Sequence, residues 1–159
     1  MDRLRDLFTA LGFGDVRTII ASGNVLFTTS QRSAARIERT IEQALRSALG
    51  YEVTTFLRTR EELEAILAFD PLPLLPPPPQ ADGVLSVAFL KAPPSAAAAA
   101  GLDMLRSPVD DFHVRGREAW WLRRTRTSQS LVLGSMLEKA LGPATVRNLT
   151  TVERVVRAM

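Results

Sequence analysis

Three clusters of side chains in this chain have the types and spacing to do chemistry. The first is Ser22-Gly23-Asn24. Glycine admits positive φ, and Ser and Asn bond nearby backbone, which is ordinary turn chemistry; such a turn can also aim its N–H groups at a small anion. The second is Thr145, Arg147 and Asn148, between the end of one helical pattern and the start of the next. These residues can cap helices and pair with a carboxylate. They can equally grip a phosphate or carboxylate at the next helix's N-terminus, because Arg offers a planar fork and Asn a donor and an acceptor. The third lies on a predicted hairpin, where Arg115, Arg117, Arg123, Arg124 and Arg126 surround Trp120 and Trp121 against Glu118 alone. Adjacent strand residues face opposite ways, so one Trp enters the core and the other points among arginines. Arg115, Arg117, Trp121, Arg123 and Arg124 would then stack bases and hold phosphates, unless a helix covers that face.

Little else in the chain can run a reaction. His113 is the only histidine and cysteine is absent, which removes histidine pairs, thiolate ligands and a cysteine nucleophile. Asp110 and Asp111 precede His113, but a turn and a strand cap account for that arrangement better than a metal does. No catalytic residue, metal or cofactor is therefore nominated. Binding of an anionic small molecule or a nucleic acid ranks ahead of catalysis on a small anionic substrate, or of a role as a structural or regulatory partner.

Helix and strand patterns supply the frame. Leu4, Leu7, Phe8 and Leu11 repeat at helical spacing before Gly12. Residues 16–20 and 25–28 read as a hairpin around Ser22-Gly23-Asn24. Ser33 caps a helix with Ile37, Ile41, Leu45 and Leu49 on its core face, ended by Gly50. Residues 53–58 read as a strand, and Thr59 with Glu62 opens a helix through about residue 69. Six prolines between 71 and 79 make a connector. A strand at 84–90, a helix at 95–105, a hairpin over 112–114 and 119–124, and a helix over 133–141 follow. A last helix starts near Thr150. Val25, Phe27 and Val87 join Ile37, Ile41, Leu45 and Leu49 as expected core.

This order predicts an α+β fold of two ferredoxin-like subdomains, the first missing its initial strand, with a C-terminal helix. The expected division is 1–70, a proline-rich linker at 71–83, and 84–159. A ferredoxin-like unit is β-α-β-β-α-β, and the first half begins at its first helix. The missing strand would sit between those at 25–28 and 53–58. Those two could close up, stay apart with unpaired backbone, or await a strand encoded upstream of Met1. The third outcome is the expectation, since unmade buried hydrogen bonds cost about 1–3 kcal/mol each.

Composition sets the outer limits. The chain has 159 residues, 46% of them hydrophobic, enough for one compact domain or two small ones. It has no apolar run of roughly 20 residues and no apolar segment behind its first residues, so neither a membrane span nor a secretory signal is expected. The lack of cysteine suits a reducing cytoplasm. The pI of about 10.1 overstates the charge: the net value is only +3, and Lys91 and Lys139 are the only lysines. Arginine keeps its proton at any accessible pH, so a small surplus persists into the alkaline range.

Four ordered stretches carry a family likeness. Residues 12–27, Gly-Phe-Gly-Asp-Val-Arg-Thr-Ile-Ile-Ala-Ser-Gly-Asn-Val-Leu-Phe, are the most distinctive. Arg58-Thr59 with Glu62-Leu63, then Val87 with Phe89-Leu90, and finally residues 144–152 follow in order. Together they resemble DUF1697, a family of unknown function. Members usually open with a strand and glycine-rich loop that this chain lacks, and Leu149 stands where the family often has Trp. The resemblance implies ferredoxin-like α+β halves and no stated reaction.

Overall fold

The computed structural model describes residues 2–19 and 23–159. The architecture is α+β, in two compact units: residues 1–60 with 154–159, and residues 61–153.

In the first unit, helix α1 (Asp2–Ala10) leads into an antiparallel pair, β1 (Gly14–Ile19) and β2 (Asn24–Thr28). Helix α2 (Ala34–Leu49) follows. Ser33 caps it, its hydroxyl accepting the Arg36 N–H at 3.3 Å, and Gly50 ends it with φ of +82°, a left-handed conformation that costs glycine nothing. The i, i+4 positions Ile37, Ile41 and Leu45 are buried against Phe8 and Phe13, with Val16, Val25, Phe27, Val53 and Leu57 packed around them. Phe13 and Phe27 meet at 4.4 Å between ring centroids. Leu49, expected in this core, is 41% exposed; as the last helical residue before the Gly50 reversal it leaves the buried stripe.

The strand expected at 53–58 is not formed: these residues join no ladder, and the first unit's sheet has two strands among the described residues. Two glutamates of α2 take the place of a neighbouring strand. Thr55 N–H donates to Glu42 Oε1 at 2.8 Å, and Leu57 N–H to Glu38 Oε1 at 2.9 Å. The segments at 25–28 and 53–58 do not pair directly, and Ile41 of α2 is fully sealed (0% exposed).

The second unit begins with α3 (Arg60–Ala68), counted from Glu61. It continues with β3 (Val84–Leu90), α4 (Ala96–Gly101), β4 (Asp110–Arg115), β5 (Glu118–Arg123), α5 (Gly134–Leu141) and β6 (Ala144–Asn148), after which α6 (Leu149–Ala158) starts. The sheet is antiparallel throughout in the order β4-β5-β3-β6. Its β-α-β-β-α-β order and central first strand are those of a ferredoxin-like unit. Strand β6 is a correction to the sequence reading, which left 144–148 between two helices. Its alternation is weak because Arg147 and Asn148 are polar, but pairing with β3 satisfies its backbone.

One face of this sheet carries Ala88, Phe112, Ala119 and Trp121 against Leu102, Val132 and Leu137. On the other lie Val87, Trp120 and Leu122, all buried. The proline run belongs to this unit and is tied down. Arg124 donates from Nε to Pro77 O (2.9 Å) and from Nη2 to Leu75 O (3.1 Å) and Pro76 O (2.9 Å).

Candidate functional site

Strand β6 presents the second cluster of the sequence reading. Its register against β3 pairs Val87 with Arg147, Ala88 with Val146 and Phe89 with Thr145. Val146 therefore packs on the helical core, while Thr145 and Arg147 share the opposite face. Arg147 Nη1 donates to Thr145 Oγ1 at 2.9 Å and to Val146 O at 2.8 Å. Burial lowers the pKa of this guanidinium from its ordinary value. The next residue turns the chain into α6: Asn148 Oδ1 accepts the Thr151 N–H at 2.9 Å and the Thr151 hydroxyl at 2.7 Å. Its role here is a helix cap, which occupies the acceptor side of its amide.

The ladders also place the histidine. His113 pairs with Trp120, Trp120 with Val87, and Val87 with Arg147. These four residues form one row across the sheet. Three strand spacings, about 14 Å in all, separate His113 from Arg147. The imidazole and the Arg147 guanidinium thus belong to opposite edges of the sheet. His113 stacks on Phe69 at 5.7 Å.

In the first unit, Gly23 sits at the hairpin tip with φ of +78°, and Asn24 Nδ2 donates to Ile19 O at 3.4 Å. Ser22, the third member of that cluster, lies outside the described residues.

The hairpin arginines are engaged within the fold. Arg115 lies over the Phe69 ring at 4.5 Å, Arg117 pairs with Glu62, and Arg123 lies over the Trp121 ring at 4.5 Å. Arg124 is buried, and besides the three carbonyls it binds Asp111 Oδ2 at 2.6 Å. Arg126 stays largely in solvent, beside Asp82, and Arg115 is exposed as well. Trp121, expected as a stacking platform, is 3% exposed. It stacks on Phe112 and donates its indole N–H to Asp110 Oδ1 at 2.9 Å. Trp120 occupies the other face, as alternation requires, but Phe69 covers it edge-on at 4.8 Å. Neither ring offers a face to a base.

Sequence reasoning missed the polar network behind that hairpin. The buried carboxylate of Asp110 accepts from Trp121 and from Ser130 Oγ (2.7 Å). Asp111 bridges Arg106 and Arg124, and Arg106 reaches on to Phe112 O at 2.7 Å and Asp103 at 2.8 Å. The available signal was Asp110-Asp111 at a strand start opposite Trp-Leu-Arg-Arg in the facing strand. Antiparallel partners at that register bring acids and arginines together. Among the described residues no three metal-ligating side chains cluster, and no helix is long and apolar enough to cross a membrane.

Comparison with known proteins adds family and fold. No curated protein matches the chain. A conserved bacterial protein, SP0830 from Streptococcus pneumoniae, is similar in structure with a TM-score of 0.74 and 21% sequence identity. The likeness covers 99% of this chain and 87% of that one, and at this identity it bears on the fold alone. The model of the family described as "Protein of unknown function (DUF1697)" matches residues 1–120. That stretch holds the hairpin motif, the Arg58-Thr59 and Val87-Phe89 stretches and most of the second sheet, and the chain belongs to the DUF1697 family.

Proposed function

We propose that this protein binds an anionic ligand through Arg147 and Thr145 on β6, beside the first turn of α6. The observation that carries the reading is that Thr145 and Arg147 share one face of β6 beside the Asn148-capped start of α6, where burial also disfavours the charged form of the guanidinium. Desolvating a cation is costly, and groups perturbed in this way concentrate at functional sites. A phosphate or carboxylate oxygen would add charge-assisted hydrogen bonds to those the guanidinium already makes. Thr145 already holds the guanidinium from one side. Asn148 shapes the helix start, where unpaired N–H groups favour an anion.

The buried state of Trp120 and Trp121 supports a small phosphorylated or carboxylated molecule, or a nucleotide, over a nucleic-acid strand. A cytoplasmic setting belongs to the same proposal and rests on the absence of cysteine. The test is a thermal-shift titration with inorganic phosphate, citrate and ATP at low ionic strength. A saturable rise in melting temperature that Arg147→Met abolishes supports the reading. Shifts that persist unchanged in Arg147→Met overturn it, as does the absence of any shift.

A further inference from the structure

A cavity of about 370 Å³ opens in the second unit where the proline run passes the β4–β5 hairpin. Pro76, Pro77 and Pro108 wall it, and Arg106, Asp111 and Arg124 bound it. The volume lies in the range of small-molecule sites. Its most unusual member is Arg124, 6% exposed. Its Nε and Nη2 are spent on the carbonyls of Leu75, Pro76 and Pro77 and on Asp111. Nη1 makes none of these bonds, and among the described residues the nitrogens sealed from solvent without a partner are Trp120 Nε1 and Arg123 Nε. A guanidinium fixed by four bonds thus borders the cavity, with Nη1 making none of them. Buried donors in native proteins find acceptors, from protein, water or ligand.

Arg106 borders the same cavity with its orientation set by three partners: Asp103, Asp111 and Phe112 O. Asp111 neutralises one of the two guanidinium groups, so the Arg106–Asp111–Arg124 trio carries a net charge of +1 − 1 + 1 = +1. Asp103 also pairs with Arg106 and is mostly exposed, where water screens it. A single positive charge suits a monoanion. A phosphate dianion would meet the Asp111 carboxylate with too little positive charge to offset it. The three proline rings offer apolar surface and no N–H donor.

We infer that this cavity is a binding site, separate from Arg147, for a small monocarboxylate with a compact apolar body. The carboxylate accepts from Arg124 Nη1 and from Arg106, and the apolar part lies against Pro76, Pro77 and Pro108. Because both guanidinium groups are held in place before a ligand arrives, little ordering is left to do on binding.

The test is an NMR titration of the ¹⁵N-labelled full chain with benzoate, its uncharged counterpart benzamide, and inorganic phosphate, at constant ionic strength. Saturable benzoate shifts at the amides of Ser107 and Asp111 and at Arg124 Nε–H are expected, with benzamide at least about 10-fold weaker and phosphate unable to compete. Arg106→Gln leaves the Arg124 clamp in place and should weaken benzoate at least about 10-fold, while Arg147→Met leaves it unchanged. Equal affinity for benzoate and benzamide overturns the inference, as do non-saturating shifts or an unaltered affinity in Arg106→Gln. The benzoate–benzamide comparison on the unmodified chain decides the matter even if a variant fails to fold.

Discussion

The Glu42 carboxylate accepts the backbone N–H of Thr55 at 2.8 Å, a bond that in a sheet would belong to a neighbouring strand. The second unit shows the usual arrangement, with β6, its last strand, bonded along β3. In the first unit the corresponding residues, 53–58, follow α2 and have side-chain acceptors instead. Replacing Glu38 and Glu42 together by Ala should cost about 1–3 kcal/mol of stability per N–H left without an acceptor. The double Gln variant keeps an oxygen at both positions and should lose far less. Urea denaturation compares them, and equal midpoints for the Ala and Gln pairs would sink the account.

Arg124→Met should be among the most damaging substitutions in the chain. It removes donors to three carbonyls and leaves the partly buried carboxylate of Asp111 with Arg106 as its remaining arginine, at a cost of about 1–3 kcal/mol for each acceptor left without a donor. Arg124→Lys should recover little of this, because a point charge cannot reproduce the fork. A lysine variant as stable as the parent in chemical denaturation would contradict the clamp.

Trp121→Phe preserves the stack on Phe112 but deletes the indole donor to Asp110. The carboxylate is 2% exposed and keeps only hydroxyl donors from Ser130 and Ser107. A loss of about 1–3 kcal/mol is expected. Adding Ser130→Ala should lower stability by more than the sum of the single changes, since both donors serve one carboxylate. Additive effects in the double-mutant cycle would show that they act apart.

The two ends of α2 give a smaller and cleaner test. Ser33→Ala removes the N-cap bond and should cost about 1 kcal/mol. At Gly50 a Cβ would meet open space, so Gly50→Ala tests the left-handed φ by itself, with an expected loss above about 0.4–1 kcal/mol. Thermal denaturation of both variants checks the pair, and a neutral Gly50→Ala would refute the conformational reason for that glycine.

Periodicity made α1, α2, the first hairpin, β3 and the Arg- and Trp-bearing hairpin legible in the sequence, because each buries one face at a regular interval. Ile37, Ile41 and Leu45 illustrate this. Two elements escaped for opposite reasons. Residues 53–58 have a strand's composition, but whether a β-branched run forms a ladder depends on a neighbour, and none is paired with it here. Residues 144–148 form a strand despite Arg147 and Asn148, because β3 offers a free edge. In the candidate sites, residue types were readable but their use was not. Trp121 and Arg124 look like a nucleic-acid surface in one dimension. Asp110, Asp111 and the carbonyls of the proline run, which are distant in sequence or lie on the facing strand, turn both residues inward.

The composition of the first unit from residues 1–60 and 154–159 sets an order of maturation during synthesis. A ribosome that has finished residue 60 must still add the 93 residues 61–153 before the last segment of that unit begins to appear. At about 5–20 residues per second this takes roughly 5–20 s. The second unit is continuous and is translated in full within that interval. The residues of the first unit are therefore complete only after all those of the second have been translated.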